Sequence, residues 1–313
     1  MMNISQYWKD FTNSYSNYGN WLWKEITFAH TDQPFWHNYF LWLVVVSAFF
    51  MLAEWGFPWH QKQGRFRRDF WLDLAYMFFN FFLFSLILFD ATSNAVVHFF
   101  NDLLASVGIR NLLAFEVMSW PLWAHLLLGF FVRDFVQWWV HRLLHRVPFL
   151  WKYHQVHHSV REMGFAAHLR YHWMETVVYR SLEYIPLALI GIGLRDFFII
   201  HVFTLFVGHF NHSNLKVPLG PLRYFFNNPQ MHIWHHAMHL PPERRHGVNF
   251  GLTLSIWDYL FGTNYIPYEG RDIELGYPGL EKMPDDMGRQ LLYGIVPGVE
   301  KEEEASAERK TES

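Results

Sequence analysis

The stretch HRLLHRVPFLWKYHQVHHS, residues 141–159, places five histidines at spacings that include three and four residues. At 3.6 residues per turn, positions i, i+3 and i+4 lie on one face of a helix, so such rings point into a common volume. A second group in the same H-x-x-H-H order follows at His232, His235 and His236. Fifteen of the twenty histidines lie within residues 141–246, a density that predicts a multi-histidine metal centre.

The number of histidines favours two metal ions over one. A structural zinc site needs four ligands and usually includes thiolates, whereas this chain has no cysteine. Imidazole also suits iron, copper and nickel, so the ligand type alone does not name the metal. Ten clustered histidines form the predicted ligand set: His141, His145, His154, His157, His158, His209, His212, His232, His235 and His236.

Long apolar segments predict an all-α, polytopic membrane bundle of about four to five membrane helices, since about 20 residues cross a hydrocarbon core. Aromatic residues make up 20% of the chain. The alternative is a soluble helical protein with apolar core helices, because the mean hydropathy is only −0.01. The four apolar segments are Phe35–Phe57, Phe70–Phe89, Pro121–Val140 and Glu175–His209, the last turning at Gly191–Asp196.

Charge distribution predicts the orientation of these segments. The loop 61–68 carries four positive charges, whereas the loop 91–120 carries a single Lys or Arg. Cytoplasmic loops are enriched in positive charge, so the first loop is expected inside and the second outside. The third segment then delivers His141 to the cytoplasmic face, and the hairpin returns His209 and His212 to the same face. We therefore expect a cytoplasmic, histidine-rich helical cap that binds the metal.

The order of the histidine motifs resembles the fatty acid hydroxylase and sterol desaturase superfamily, whose members are membrane-bound histidine-box diiron oxygenases. The resemblance covers about residues 121–267. The residues that carry it are Asp134 before HRLLH (141–145), HQVHHS (154–159), RYHWME (170–175), HSN (212–214), PQMHIWHH (229–236), NFG (249–251) and WDYLFGT (257–263).

This resemblance implies two iron ions, with zinc as a substitute, and dioxygen as co-substrate in the hydroxylation or desaturation of a lipid such as a sterol, fatty acyl chain or ether lipid. It adds His172 to the predicted ligands. Asp134 and Gln137, on the same helical face as His141, are predicted to accept the ring N–H of a ligand. An ion pair between Arg170 and Glu175 is expected to anchor the following helix.

Three further histidines, His168, His239 and His246, have no assigned role. With the resemblance, the chain divides into four predicted parts. These are an extracytoplasmic lead-in (1–34), N-terminal membrane helices (35–120), the catalytic domain (121–268) and a polar tail (269–313). The protein is expected to be integral and multi-pass, in a bacterial inner membrane or the endoplasmic reticulum.

The expected partners are a lipid that enters from the bilayer and a separate electron donor of the ferredoxin or cytochrome type. No dinucleotide-binding glycine loop or haem-binding domain is evident, so the electrons must come from another protein. A nucleic-acid partner is not expected. The positively charged residues that would attract an acidic donor are Arg142, Arg146, Lys152 and Arg161.

Two other functions fit parts of the pattern. A metal transporter is rich in histidine, but it would place ionisable residues in mid-span rather than beyond the helix ends. A catalytically silent scaffold would keep the fold and bind only metal or lipid. If the protein is an enzyme, hydroxylation and desaturation both begin with hydrogen abstraction, and the sequence leaves the choice between them open.

Overall fold

The computed structural model describes residues 4–31, 34–91, 103, 106, 117–190, 192 and 194–299. These residues form α-helices and short 3₁₀ turns without a β-strand, which confirms the all-α prediction. The predicted turn at Gly191–Asp196, the loop 91–120 and the C-terminal tail lie partly or largely outside the described residues. The helices are α1 Ile4–Thr27, α2 Tyr39–Gly56, α3 Phe70–Ala91, α4 Leu122–Arg146, α5 Pro148–His158, α6 Trp173–Leu189, α7 Leu194–His212, α8 Pro229–His235, α9 Ile256–Leu260 and α10 Met287–Leu292.

The junction of α4 and α5 positions the first two histidine motifs. Val147 lies before Pro148 and adopts an extended conformation with φ −94° and ψ 113°. Extended geometry is favoured there because a proline ring disfavours the α region in the preceding residue. Pro148 then starts α5, where its missing N–H costs no helical hydrogen bond. The chain thus turns within one residue and folds α5 back beside the end of α4.

Helix α8 has equally clear local causes. The Asn228 side chain accepts a hydrogen bond from the backbone N–H of Met231 at 3.0 Å, which caps the helix. Pro229 occupies the first turn, as it does in many helices. The cap fixes where the short helix begins and therefore the direction of its three histidines.

Among the described helices, α2 alone has both the length and the apolar composition to cross a membrane. A shorter apolar stretch, Phe70–Leu83, lies within α3. Buried side chains from four helices, including Leu43 of α2, Phe81 of α3, Leu187 of α6 and Leu205 of α7, form one apolar cluster. The N-terminal helices therefore pack directly against the helix that carries His212.

Charged residues within the apolar helices join the N-terminal helices to the histidine-rich region. Asp73 of α3 is fully buried and accepts hydrogen bonds from both Arg67 and Arg170. Glu54 of α2 accepts the backbone N–H of Phe165 at 2.7 Å and that of Asn214 at 2.8 Å. The expected ion pair between Arg170 and Glu175 is wrong, because the Arg170 guanidinium is already taken up by carboxylates of the α3 region.

Replacement of Asp73 by Ala would leave two buried guanidinium groups without their shared carboxylate. Removing one partner of a buried ion pair lowers the free energy of unfolding by about 3–5 kcal/mol. We therefore expect a large fall in the thermal unfolding temperature of the purified protein. Asp272→Ala is the matched control, because Asp272 forms an exposed pair with Arg271, and exposed ion pairs contribute little to stability. Equal melting temperatures for the two variants would contradict the structural role of Asp73.

Candidate metal centre

Nine histidines from four parts of the chain converge into two neighbouring groups. In each group, one ring nitrogen from every histidine lies within 4.8 Å of the corresponding atoms of the others. The five-histidine group contains His141, His145, His154, His158 and His235, and the four-histidine group contains His157, His212, His232 and His236.

Each H-x-x-H-H motif contributes to both groups. In α5, His154 and His158 belong to the five-histidine group, whereas His157 between them belongs to the four-histidine group. At the end of α8 the division is reversed, because His232 and His236 belong to the four-histidine group and His235 to the other. Positions four residues apart therefore share a group, and the position three residues after the first lies across the boundary. The two motifs therefore link the groups, because each motif contributes histidines to both.

The distances between ring nitrogens are compatible with a metal ion shared by each group. The Nε2 atoms of His141 and His154 are 3.1 Å apart, and those of His158 and His235 are also 3.1 Å apart. Two imidazole nitrogens cis to each other on an ion, with bonds of about 2.1 Å, are separated by about 3.0 Å. The buried Nε2 of His145 has no hydrogen-bond partner, as expected of a nitrogen reserved for a metal.

The four-histidine group shows the same spacing. Nε2 of His212 is 2.9 Å from Nε2 of His232 and 3.3 Å from Nε2 of His157. Nε2 of His236 lies 3.2 Å from that of His232. An all-nitrogen donor set of this size suits iron, zinc or copper. The residues present therefore fit two ions, one in each group.

Burial keeps these imidazoles in the form that binds metal. Desolvation, reinforced by the neighbouring histidines, lowers the pKa of His157, His158 and His236 well below the ordinary value of 6.5. The rings are therefore neutral at physiological pH, and a neutral imidazole is the species that coordinates a metal.

Acceptors behind the rings fix the directions of four of the histidines. The Nδ1–H of His141 donates to the Phe250 carbonyl at 2.8 Å, and that of His235 donates to the Val248 carbonyl at 2.8 Å. The other two acceptors are the Gly208 carbonyl for His212, at 2.8 Å, and the Glu175 carboxylate for His154, at 3.0 Å. Such partners set the tautomer so that the opposite nitrogen points to the metal.

The segment 248–251 is itself held by a buried carboxylate. Asp258 accepts the backbone N–H of Phe250 at 2.9 Å and that of Gly251 at 2.8 Å. It also accepts the indole N–H of Trp138 in α4 at 3.0 Å. Asn249 adopts a positive φ of 53° and donates its side-chain amide to the Met231 carbonyl in α8. These contacts explain why the NFG and WDYLFGT motifs accompany the histidines.

The predicted partners of His141 are wrong. Asp134 instead accepts hydrogen bonds from the Trp257 indole at 2.8 Å and from the backbone N–H of Leu254 at 3.3 Å. It therefore anchors the α9 region. The Oε1 atom of Gln137 is buried without a hydrogen-bond partner, and its side chain lines a small internal cavity. His141 uses a backbone carbonyl because the Phe250 segment packs against that face of α4.

Two of the eleven predicted ligands, His172 and His209, lie outside both groups. The ring of His172 donates to the Leu291 carbonyl at 2.9 Å and accepts the backbone N–H of Met174 at 3.1 Å. His209 contacts Ser47 through Nε2 at 3.1 Å and His168 through Nδ1 at 2.9 Å. Both nitrogens of each ring are occupied, so we remove these residues from the proposed ligand set.

The remaining three histidines differ in their surroundings. His168 is buried beside His212, with ring centroids 5.2 Å apart, and its ring packs against Gly208, where a Cβ atom would lie only 2.1 Å from it. His239 is exposed and pairs with Glu274. His246 is exposed near the edge of the centre. Of these three histidines, only His168 therefore packs against a proposed metal ligand, His212.

Glu175 is the residue whose role the sequence reasoning missed. The RYHWME motif contains this residue, but the sequence predicts an ion pair with Arg170 for its carboxylate rather than a hydrogen bond with His154. The carbonyls of Gly208, Val248 and Phe250 belong to the backbone, so no side chain in the sequence identifies them as hydrogen-bond acceptors. The glycine and the NFG motif indicate only where they lie in the chain. Only the folded backbone shows which carbonyl meets which ring.

The fold and site define an all-helical protein in which nine histidines form two adjacent groups, each of which could hold a metal ion. Residues 126–263 match the family model described as fatty acid hydroxylase. This part of the chain is similar to the fatty acid hydroxylase family, which agrees with the resemblance that its motifs predicted. No solved structure matches this chain.

Named relatives support the same family. Ornithine lipid hydroxylase OlsE of Rhizobium tropici is 34% identical over 161 residues, which cover 51% of this chain and 48% of that protein. Alkylglycerol monooxygenase of Xenopus tropicalis is 32% identical over 47% of this chain and 31% of its own length. Very-long-chain aldehyde decarbonylase GL1-10 of Oryza sativa subsp. japonica is 31% identical over 45% and 46%. This chain thus matches about half or less of each relative's length.

Glu175 offers a test of the outer layer of the centre. Glu175→Leu removes the acceptor of the His154 ring N–H, so we expect the affinity of the five-histidine group for metal to fall about 10–100-fold. Glu175→Gln keeps an oxygen acceptor and should lose less. Titration of the metal-free variants with Co²⁺ against a chelator measures the effect. Glu274→Leu, at an exposed carboxylate, is the control, and an unchanged affinity in Glu175→Leu would exclude the role.

Proposed function

We propose that this protein is a membrane-bound diiron enzyme that hydroxylates a lipid with dioxygen. The observation that carries the proposal is the pair of adjacent all-histidine groups, because each could hold one ion. The family match and the relatives named hydroxylase and monooxygenase support oxygen insertion rather than desaturation. The substrate class follows from the same relatives, whose names specify lipids.

The proposed reaction replaces a C–H bond of the lipid by C–OH. One atom of dioxygen enters the product and the other leaves as water, so each turnover consumes two electrons and two protons. Iron in the two groups would supply the reduction of dioxygen. The protein's own part is to hold nine neutral rings in fixed directions and to exclude water, since eight of the nine rings are buried.

Apolar surfaces on the helices support a membrane location. Exposed apolar side chains recur along α2, including Phe49 and Leu52, and along α7, including Phe203 and Phe206. Lipid hydrocarbon covers such surfaces without cost, whereas water does not. We propose that α2, α3, α4 and the α6–α7 pair lie in the bilayer and that the histidine centre faces the cytoplasm. A lipid could then reach the centre without crossing water.

Replacement of a single ligand tests the enzyme. His157→Ala and His235→Ala each remove one histidine from a different group, so we expect iron content to fall by about half or more and oxygen-dependent product to disappear. His239→Ala is the matched control, because that side chain is 75% exposed and lies outside both groups. Iron is measured by elemental analysis, and product by lipid mass spectrometry of cells with and without the gene. Full iron and product in both variants would overturn the proposal.

The topology can be mapped with single cysteines, because the chain contains none of its own. Ser119→Cys is expected to react with a membrane-impermeant maleimide in intact cells. Lys62→Cys and His239→Cys should react only after the membrane is permeabilised, because the positive-inside rule places both on the cytoplasmic side. The unaltered protein serves as the unlabelled control. Labelling of residues 62 and 119 from the same side would contradict the proposed arrangement.

A further inference from the structure

One of the nine grouped histidines differs from the rest in its access to solvent. His145 is partly exposed, whereas the other eight are buried. Its ring centroid lies 4.8 Å from that of His154, 4.7 Å from that of His158 and 4.8 Å from that of His235. The exposed edge of His145 therefore connects solvent to the five-histidine group, because the same ring contacts three other members of that group.

Positively charged side chains lie near this edge. Arg146 follows His145 in α4 and is exposed. The backbone of Gly247 packs against the ring so closely that a Cβ atom there would lie 2.8 Å from Nδ1. That contact brings the exposed Arg245 to the same edge, where its Nε lies 3.1 Å from Nε2 of His246. We call Arg142, Arg146 and Arg245 the cationic rim; the Arg244 guanidinium instead contacts the Gly262 carbonyl and the Tyr265 ring.

Positive charge predominates in this region. The two segments that form it, residues 141–152 and 241–247, hold five Lys and Arg residues and a single carboxylate, Glu243. Arg142 lies over the rings of Trp138 and Trp139, at 5.2 Å and 5.3 Å, which fixes its position beside α4. A surface of this kind attracts a partner of opposite charge and raises its association rate by about 10–10³-fold.

We infer that the cationic rim docks an acidic one-electron carrier protein and that electrons enter the centre through His145. This inference rests on the proposed function, which requires two electrons per turnover. Each docked carrier would be oxidised by one electron, so two carriers serve one dioxygen. The structure also selects among the cations expected to attract a donor, because Arg161 lines a separate cavity with Trp59 and Arg271.

The test compares the unaltered protein with the double variant Arg146→Glu/Arg245→Glu, both iron-loaded in discs of neutral lipid. The probe is a reduced acidic [2Fe–2S] ferredoxin, whose oxidation is followed by stopped-flow absorbance. We expect the second-order rate constant to fall about tenfold or more in the variant and to lose most of its dependence on salt. Reduction by a small cation, reduced benzyl viologen, should not slow, because it needs no docking surface.

The matched control is Arg271→Glu/Arg289→Glu, which reverses two exposed charges in other parts of the chain. It should react with ferredoxin as the unaltered protein does. An unchanged ferredoxin rate in the rim variant would overturn the inference, and so would an equal loss with benzyl viologen, which would indicate damage to the centre. Anionic lipid in the disc could also slow ferredoxin oxidation by the unaltered protein but not by the rim variant. That result would overturn the inference and assign the rim to membrane lipid instead.

These readouts are separate from the proposed hydroxylation. Electron transfer from ferredoxin is measured without lipid product, and product formation can be driven by benzyl viologen without ferredoxin. Product with viologen but no rim effect would reject the docking site alone. Absence of product with any reductant, despite normal electron transfer, would reject the hydroxylase proposal alone.

Discussion

The structure depends on holding nine neutral imidazoles in two groups, with one nitrogen of each ring within 4.8 Å of those of its group. Desolvation keeps the rings uncharged, and an uncharged ring has one N–H to donate and one lone pair to offer. The outer N–H must therefore find an acceptor if the lone pair is to face inward. Four of the rings have a carbonyl or carboxylate behind them that fixes their direction, whereas the Nδ1 atoms of His157, His232 and His236 are buried without a hydrogen-bond partner.

This requirement explains the surrounding architecture. Segment 248–251 supplies two of the acceptors, and the buried Asp258 carboxylate fixes that segment against α4. The interleaving of α5 and α8, each of which serves both groups, makes the positions of the two groups interdependent. Displacement of either helix would open both groups at once. Asp73 and Glu54 extend the same framework to the N-terminal helices, where a charge in an apolar helix ties neighbouring backbone and side chains together.

Under the proposed function, a centre closed on most sides would separate the routes by which the lipid and the electrons arrive. The apolar faces of α2 and α7 belong to the side from which a lipid would come. The partly exposed edge of His145 lies at the end of α4, among arginines. Hydrocarbon and electrons would thus approach from different directions. Such separation keeps water away from the reacting carbon while leaving one conductive edge at the surface.

The sequence by itself determined the helical class and identified the nine histidines that gather into the two groups, because helical periodicity and imidazole chemistry are local properties. Tertiary structure decided the rest. It divided each H-x-x-H-H motif between the groups, occupied both nitrogens of His172 and His209 with other partners, and gave Glu175 to His154 rather than to Arg170. Hydrogen-bond acceptors, including backbone carbonyls that no side chain reveals, come from distant segments, so only the packed chain can assign them.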